Sequence, residues 1–338
     1  MAVAPARSRR GRNPIVTEDR RAGWVFVAPA MLIFTVFIFG AILFAFYVSL
    51  HQYKLLDRGG IWPLFTNPGR TWVGLDNYRD IFDSEDFWTA FRNTTWYALG
   101  VVPAQTVTGL TLAVFANRKI RGKTFFRTAF YFPSISSSVV ISIIFLWMYS
   151  ARGFVNYAIR QVGLTPPRPV WLANPKGVFA MLLDSIGIEH VSVWLQGPSV
   201  ALLSIMMLNI WTTTGTMMVI FLAGLQGLPG DIYEAAALDG ASRSRMFRDI
   251  TVPLLKPVTA FVVTIGLIGT FQVFDQIWVM SEGGPAKTTT TLAYLVYVEG
   301  FRQGRGLGYG SAIAGVLFFI ILALYFIQRR FTAEHEQR

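Results

Sequence analysis

The polar residues that could do chemistry in this chain fall into two groups. The first is the stretch from Asp231 to Pro257, DIYEAAALDGASRSRMFRDITVPLLKP, set between two long apolar segments. Asp231 followed by Glu234 can satisfy the free N–H groups of a helix start, as a carboxylate variant of the capping box. Ala235, Ala236 and Ala237 keep the surface of that helix narrow, and Gly240 ends it by accepting a left-handed conformation. Ser242 can cap a second helix running through Arg243, Arg245, Phe247 and Arg248 until Pro253 breaks it. A thin helix of this kind can enter a groove on another protein, with Glu234 and Asp239 able to pair with basic groups there. The plainer alternative is an amphipathic turn between membrane spans.

The second group centres on Asp275, the sole ionisable side chain in a predicted span, with Gln272 one helical turn earlier on nearly the same face and Phe271 beside it. Helical rise places Asp275 about 7 to 8 Å from the end of its span. It reads either as an interfacial carboxylate hydrogen-bonded to a neighbouring helix or as a direct contact to a solute. Asn209, Thr212, Thr213 and Thr214, near the middle of another span, read as interhelical hydrogen-bonding groups or as the lining of a pathway.

Catalytic and metal-binding chemistry lacks its residues. There is no HExxH and no GxSxG, and His51, His190 and His335 stand in separate loops or the tail. Gly122-Lys123-Thr124 resembles the end of a phosphate-binding loop, but the first glycine it needs is Asn117 and no strand precedes it, so the triplet reads as a cationic turn at a membrane surface. No nucleotide or metal is expected on this chain. The absence of cysteine excludes disulfides and thiolate chemistry.

These residues are held by an apolar chain. Of 338 residues, 53% are hydrophobic and only 14% charged, too few to cover a soluble protein of this size. A spanning helix needs about 20 mostly apolar residues, and six segments qualify: 24–50, 94–116, 128–149, 200–224, 258–280 and 310–327. The stretch 178–195 is interrupted by Asp184 and Glu189 and reads as an interfacial piece. The chain therefore divides into a basic tail, 1–22, a membrane domain, 23–330, with a polar loop at 229–257, and a short tail, 331–338. The first apolar run is too long for a signal-peptide core and is expected to remain as an anchor. Trp24, Trp96, Trp147 and Trp278, near span ends, read as interfacial belts.

Of the 30 Lys and Arg residues, 18 fall in the termini and the loops 117–127 and 225–257, and the remaining 12 are spread over three longer loops. Because cationic loops are retained in the cytoplasm, both termini and the 229–257 loop are expected on that side. The net charge of +11 sits at helix ends, where anionic lipid attracts it, so nucleic acid is not an expected partner.

Glu234-Ala235-Ala236, Asp239-Gly240-Ala241 and Val252-Pro253 resemble the EAA loop of ABC importer permeases, the coupling helix that docks on an ATPase. Further pieces resemble the carbohydrate branch, the maltose and glycerol-3-phosphate type permeases. They are Val73 to Tyr78 (VGLDNY), Asn93-Thr94-Thr95, Phe126-Arg127-Thr128 with Phe132-Pro133, Leu222 to Gln226 (LAGLQ), Val273 to Ile277 (VFDQI), Gly283-Gly284-Pro285, Tyr297 and Phe301. Two departures stand out: a long external loop from Pro166 to Pro198, and Ser281-Glu282 where that branch usually has Thr before the Gly-Gly-Pro turn.

The resemblance implies an all-α, six-span permease of the type I importer fold in a bacterial inner membrane. It implies a second permease forming a heterodimer, an ATPase dimer that carries ATP and Mg, and an extracytoplasmic sugar-binding protein. Docking then falls to Glu234, Ala235, Ala236, Asp239, Gly240 and Ala241. Asp275, Gln272, Phe271, Asn209 and Thr213 become candidates for a sugar pathway, with Phe271 stacking on a pyranose ring. The substrate stays open among disaccharides, oligosaccharides, and amino or phosphorylated sugars. A self-contained ion-coupled transporter or channel, or a membrane-bound enzyme, are the alternatives from other classes.

Overall fold

The computed structural model describes residues 14–54, 71–118, 121–167, 169–188, 191–302 and 305–336, with side chains from residue 22 to residue 330. The basic tail up to residue 13, Lys119, His190 and Glu189 lie outside the described residues. Among the described residues the structure is helical, apart from two isolated bridges, His51 with Trp72 and Gly177 with Ser199.

Among the described residues four helices are long and apolar enough to cross a membrane: Ala22–Ser49, Glu85–Asn117, Val200–Gln226 and Leu307–Arg330. The total rises to six when each of two bent pairs, Lys123–Ile135 with Ser138–Met148 and Arg243–Leu254 with Lys256–Phe271, is taken as one span. The first of these helices, α1, starts at Pro14 and passes through a π turn at Phe34–Phe39. After a short helix α2 (Asp76–Asp83), α3 (Glu85–Asn117) begins well before the expected span, with Ser84 accepting a hydrogen bond from the Phe87 N–H as its N-cap. The stretch 178–195 contributes only a seven-residue helix, Val178–Asp184, and a 3₁₀ turn, Val193–Gln196, so it is not a span. The last helix continues as backbone to Glu336, so most of the expected C-terminal tail extends that helix.

Two apolar runs that read as single spans are broken. The run 128–149 splits into α4 (Lys123–Ile135) and α5 (Ser138–Met148), which meet at 98°. Pro133 weakens the last turn of α4, and three consecutive serines, Ser136 to Ser138, follow it; Ser136 is extended, with φ −80° and ψ 154°. The run 258–280 splits into α6 (Lys256–Phe271) and a short α7 (Asp275–Met280). No proline explains this second break. The Thr291 hydroxyl, from a distant loop, donates to the Val273 carbonyl at 2.9 Å and gives it a partner outside the helix.

α3 packs most extensively against α8 (Val200–Gln226), with α6 and α4 beside them. At the end where α6 begins, Ala113, Met217, Phe221, Leu255 and Val262 form one core. Towards the other end, Tyr97, Val101, Leu202, Ile205 and Ile277 form a second. A third joins Ile81, Phe87 and Phe271 to Leu292, Ile313 and Leu317. α4 and α8 approach closely at Gly215, where an added Cβ would collide with the Phe130 carbonyl oxygen. Gly215→Val should therefore lower the thermal midpoint of the detergent-solubilised protein, at an overpacking cost of about 1–3 kcal/mol. Gly230→Ala, where the new methyl meets nothing within 4 Å, is the matched control. Equal midpoints for the two variants would show that the α4–α8 contact does not set stability.

Candidate functional site

The polar loop folds into a helical hairpin. Its first helix, α9, spans Gly230–Leu238 behind Pro229 as N-cap, so Asp231 lies inside the first turn and the capping box with Glu234 does not form. Pro229, at φ −65° and ψ 128°, sets the non-helical start by itself, and Asp231 is left to complement the helix dipole. Gly240 adopts φ +77°, with the Gly240 N–H donating to the Ala237 carbonyl and the Ala241 N–H to that of Ala236 at 2.9 Å, the paired bonds of a Schellman ending. Ser242 caps the second helix by accepting from the Arg245 N–H at 3.3 Å.

Pro253 does not break that helix. It lies near the end of the helix, which runs from Arg243 through a π turn at Phe247–Thr251 to Leu254, and the bend of 63° falls at Leu255. The hairpin is closed by Tyr233 and Thr251, whose hydroxyl oxygens lie 2.9 Å apart. Glu234, Asp239 and Ala235 are exposed. Beside them stand Ile232 and Leu238, the latter 90% exposed. Ile232, Ala235 and Leu238 recur every third position and form an apolar ridge, which attention to the motif's charges alone had missed.

A cavity of 330 Å³ lies where the two spans break. α3 contributes Gln105, α4 Ser134, the first break Ser136 and Ser138, α8 Asn209, Thr212, Thr213 and Thr216, α6 Gly266 and Thr270, and α7 Gln276. The Thr213 hydroxyl lies 2.7 Å from Gln105 Oε1 and 2.8 Å from the Asn209 carbonyl oxygen. Ser134 Oγ donates to the Thr212 carbonyl at 2.6 Å and accepts from the Thr216 N–H at 3.1 Å. Thr213 and Asn209 therefore line the cavity, and Thr213 also joins two helices. Thr214 turns away to Thr108 at 3.0 Å, joining two helices beside a separate, mainly apolar cavity of 470 Å³.

The other candidates do not converge. Gln272 caps the end of α6, Asp275 opens α7 beyond the break, and both are exposed, so they share no helical face. Phe271 is 5% exposed and packed among Ile81, Leu292 and Leu295, which leaves no free ring face for a solute. Gln276, adjacent to Asp275, reaches the cavity in their place. Gln105 escaped notice because it carries no charge, although an amide near the middle of a span is itself a signal.

Several of the other motifs meet at the far end of the bundle, whereas Arg127 and Leu222 lie at the hairpin end. Asn93 Nδ2 donates to the Lys287 and Thr290 carbonyls at 2.9 and 3.0 Å, and Thr94 Oγ1 accepts from the Leu292 N–H at 3.0 Å. Asn77 Nδ2 donates to the Ser49 carbonyl at 2.8 Å. Ion pairs join Lys287 to Asp86, Arg302 to Glu282 and Arg305 to Asp80. The Glu282 carboxylate also raises the pKa of the Arg302 guanidinium above its ordinary value.

Among known proteins, the chain is 32% identical over 319 residues to the lactose transport system permease protein LacF of Rhizobium radiobacter, covering 94% of this chain and 95% of LacF. It is 29% identical over 306 residues to the trehalose/maltose transport system permease protein MalF of Thermococcus litoralis, covering 90% and 92%. Its fold matches a chain of a bacterial ABC transporter that imports the acidic polysaccharide alginate, with a TM-score of 0.68 at 21% identity over 94% of this chain and 98% of that one. Residues 105–333 match the family described as binding-protein-dependent transport system inner membrane component. A chain built on this helical plan and matched over that span belongs to that family: it is an inner-membrane permease component of a binding-protein-dependent ABC transport system.

Proposed function

We propose that this chain is one of two unequal permease subunits of an ATP-driven sugar importer and forms half of the sugar pathway. The cavity carries the proposal. It is framed by two broken spans and lined by hydroxyls and carboxamides together with apolar side chains such as Ile141, Leu208, Met217 and Ile265, with no ionisable side chain among its lining residues. Breaks at membrane depth are tolerated where they line a cavity, and they mark solute sites in many transporters. Relatives named for lactose, trehalose/maltose and arabinooligosaccharide transport support a carbohydrate as the solute.

In this reading the hairpin faces the cytoplasm, in keeping with the cationic loops on its side, and α9 docks on an ATPase that binds ATP and Mg. The ridge of Ile232, Ala235 and Leu238 enters a groove on that partner while Glu234 and Asp239 pair at its rim. A binding protein delivers the sugar to the opposite face. The solved alginate system in complex with an alginate pentasaccharide-bound periplasmic protein supports that assembly. ATPase closure reaches the cavity only if the docked helix makes different contacts in the two membrane conformations.

Ion coupling is the less favoured alternative. The spans are broken as in many ion-coupled transporters, but the cavity offers no carboxylate to carry a proton or hold a cation. Proteoliposomes containing both permeases should take up sugar only when the ATPase, ATP and the binding protein are present. Uptake that persists without the ATPase would overturn the proposal. Leu238→Asp should place a charge in the docking groove and lower the amount of ATPase retained by the permeases at least tenfold in pull-down. Gly240→Val forces a β-branched residue into φ +77°, a strain of about 1–2 kcal/mol or more, and should uncouple ATP hydrolysis from uptake. Wild-type retention by the first variant and wild-type coupling by the second would remove the hairpin from the mechanism.

A further inference from the structure

Gln105 is 1% exposed, and the buried Nε2 of its carboxamide has no hydrogen-bond partner at the edge of the cavity. Ser138 Oγ, on the same cavity, is likewise buried and unpartnered. A buried polar group left unpaired is destabilising, so two around one cavity mark a place where a ligand completes the hydrogen bonding. Space for the amide comes from Gly266, where any Cβ would collide with Nε2.

The chemistry of the missing partner follows from the amide. With Oε1 turned to the Thr213 hydroxyl, the NH₂ lies against Gly266 at the edge of the cavity; turned over, the NH₂ donates to Thr213, which donates to the Asn209 carbonyl, and Oε1 takes that place. An alcohol hydroxyl both donates and accepts and satisfies either arrangement. A carboxylate or phosphate only accepts, and with no cation in the lining its charge would be buried unpaired.

We propose, resting on the sugar-permease reading above, that Gln105 reads a hydroxyl of the transported sugar within the membrane and that the site is built for uncharged sugars, excluding uronates and sugar phosphates. The cavity lining would then act as a second filter after the binding protein.

The test uses the complete importer in proteoliposomes with its own binding protein. The probes are lactose, trehalose, maltose, glucuronate and glucose 6-phosphate, and uptake and ATP hydrolysis are measured together. Wild type should carry one or more of the neutral sugars and neither anion. Gln105→Glu keeps the shape and the acceptor towards Thr213. When protonated it has both donor and acceptor, as the amide does; when ionised it has lost the donor and gained a charge. Uptake per ATP hydrolysed should therefore be near wild type at pH 5.5 and fall at least tenfold by pH 8.5, while the wild-type ratio stays flat. Gly266→Ala, which displaces the amide without changing its chemistry, should lower the same ratio.

A neutral sugar carried equally well by Gln105→Glu at both pH values would remove Gln105 from recognition and leave the permease reading standing. Preferential uptake of glucuronate or glucose 6-phosphate by wild type would overturn the neutral-sugar assignment alone. If none of the three neutral sugars is carried even with ATP and binding protein, the neutral-sugar assignment falls while the family membership stands.

Discussion

A peptide group taken out of water must find a hydrogen-bond partner, and inside a bilayer only the protein can supply one. The structure turns on how this constraint is met at two places where a span stops being a helix. At the first, Ser136 Oγ donates back to the Phe132 carbonyl at 3.0 Å and Ser134 Oγ bridges to the backbone of α8. At the second, Thr291 Oγ1 takes the Val273 carbonyl, and Thr291 is fixed in turn because Asn93 and Thr94 hold the residues on either side of it. The breaks open the cavity, and the side chains that satisfy them give it fixed walls.

The same connections define a mechanical path. The hairpin ends at Leu255, which is buried against α8, and α6 starts at the next residue. Sixteen residues later α6 ends at the second break, having placed Gly266 and Thr270 on the cavity. A force applied to α9 would therefore reach the cavity wall through the Gly240 reversal, the helix Arg243–Leu254, the bend at Leu255 and α6, a helix of about 24 Å. The far end of the path is anchored by Asn93, the Lys287–Asp86 pair and the Ser281–Thr289 hydroxyl contact at 2.8 Å.

Much of this plan was legible in the sequence, and the parts that were not share a cause. Span number, the glycine reversal at Gly240, the Ser242 cap and the lack of a span at 178–195 follow from local rules, because hydrophobic length, left-handed tolerance and hydroxyl capping each act within a few residues. The second break could not be read from 258–280, because its determinant, Thr291, comes from a loop beyond the segment. The first break was signalled by Pro133 and the serine run, but continuous apolarity outweighed those signals. Phe271 looked available for stacking because periodicity gives a helix face and not what covers it; here the ring is buried in the cluster that also holds Ile81 and Leu292.

Asp275 carries the more general lesson. A charge in an apolar run draws attention because burying it is expensive, and that expense is also why this chain does not bury it. The second break brings Asp275 to the first residue of α7, where it is exposed, and turns the neutral Gln276 into the cavity. Carboxamides and hydroxyls cost less than ions to hold at membrane depth, and they bind and release a polyol through bonds that water can replace on either side. A pathway for neutral solutes is therefore expected to be inconspicuous in a sequence: its residues are the Gln, Asn, Ser and Thr of mid-span positions, which differ from ordinary interhelical groups only in leaving a hydrogen bond unmade. Gln105 is such a residue, and its unmade bond becomes visible only once the helices are assembled around it.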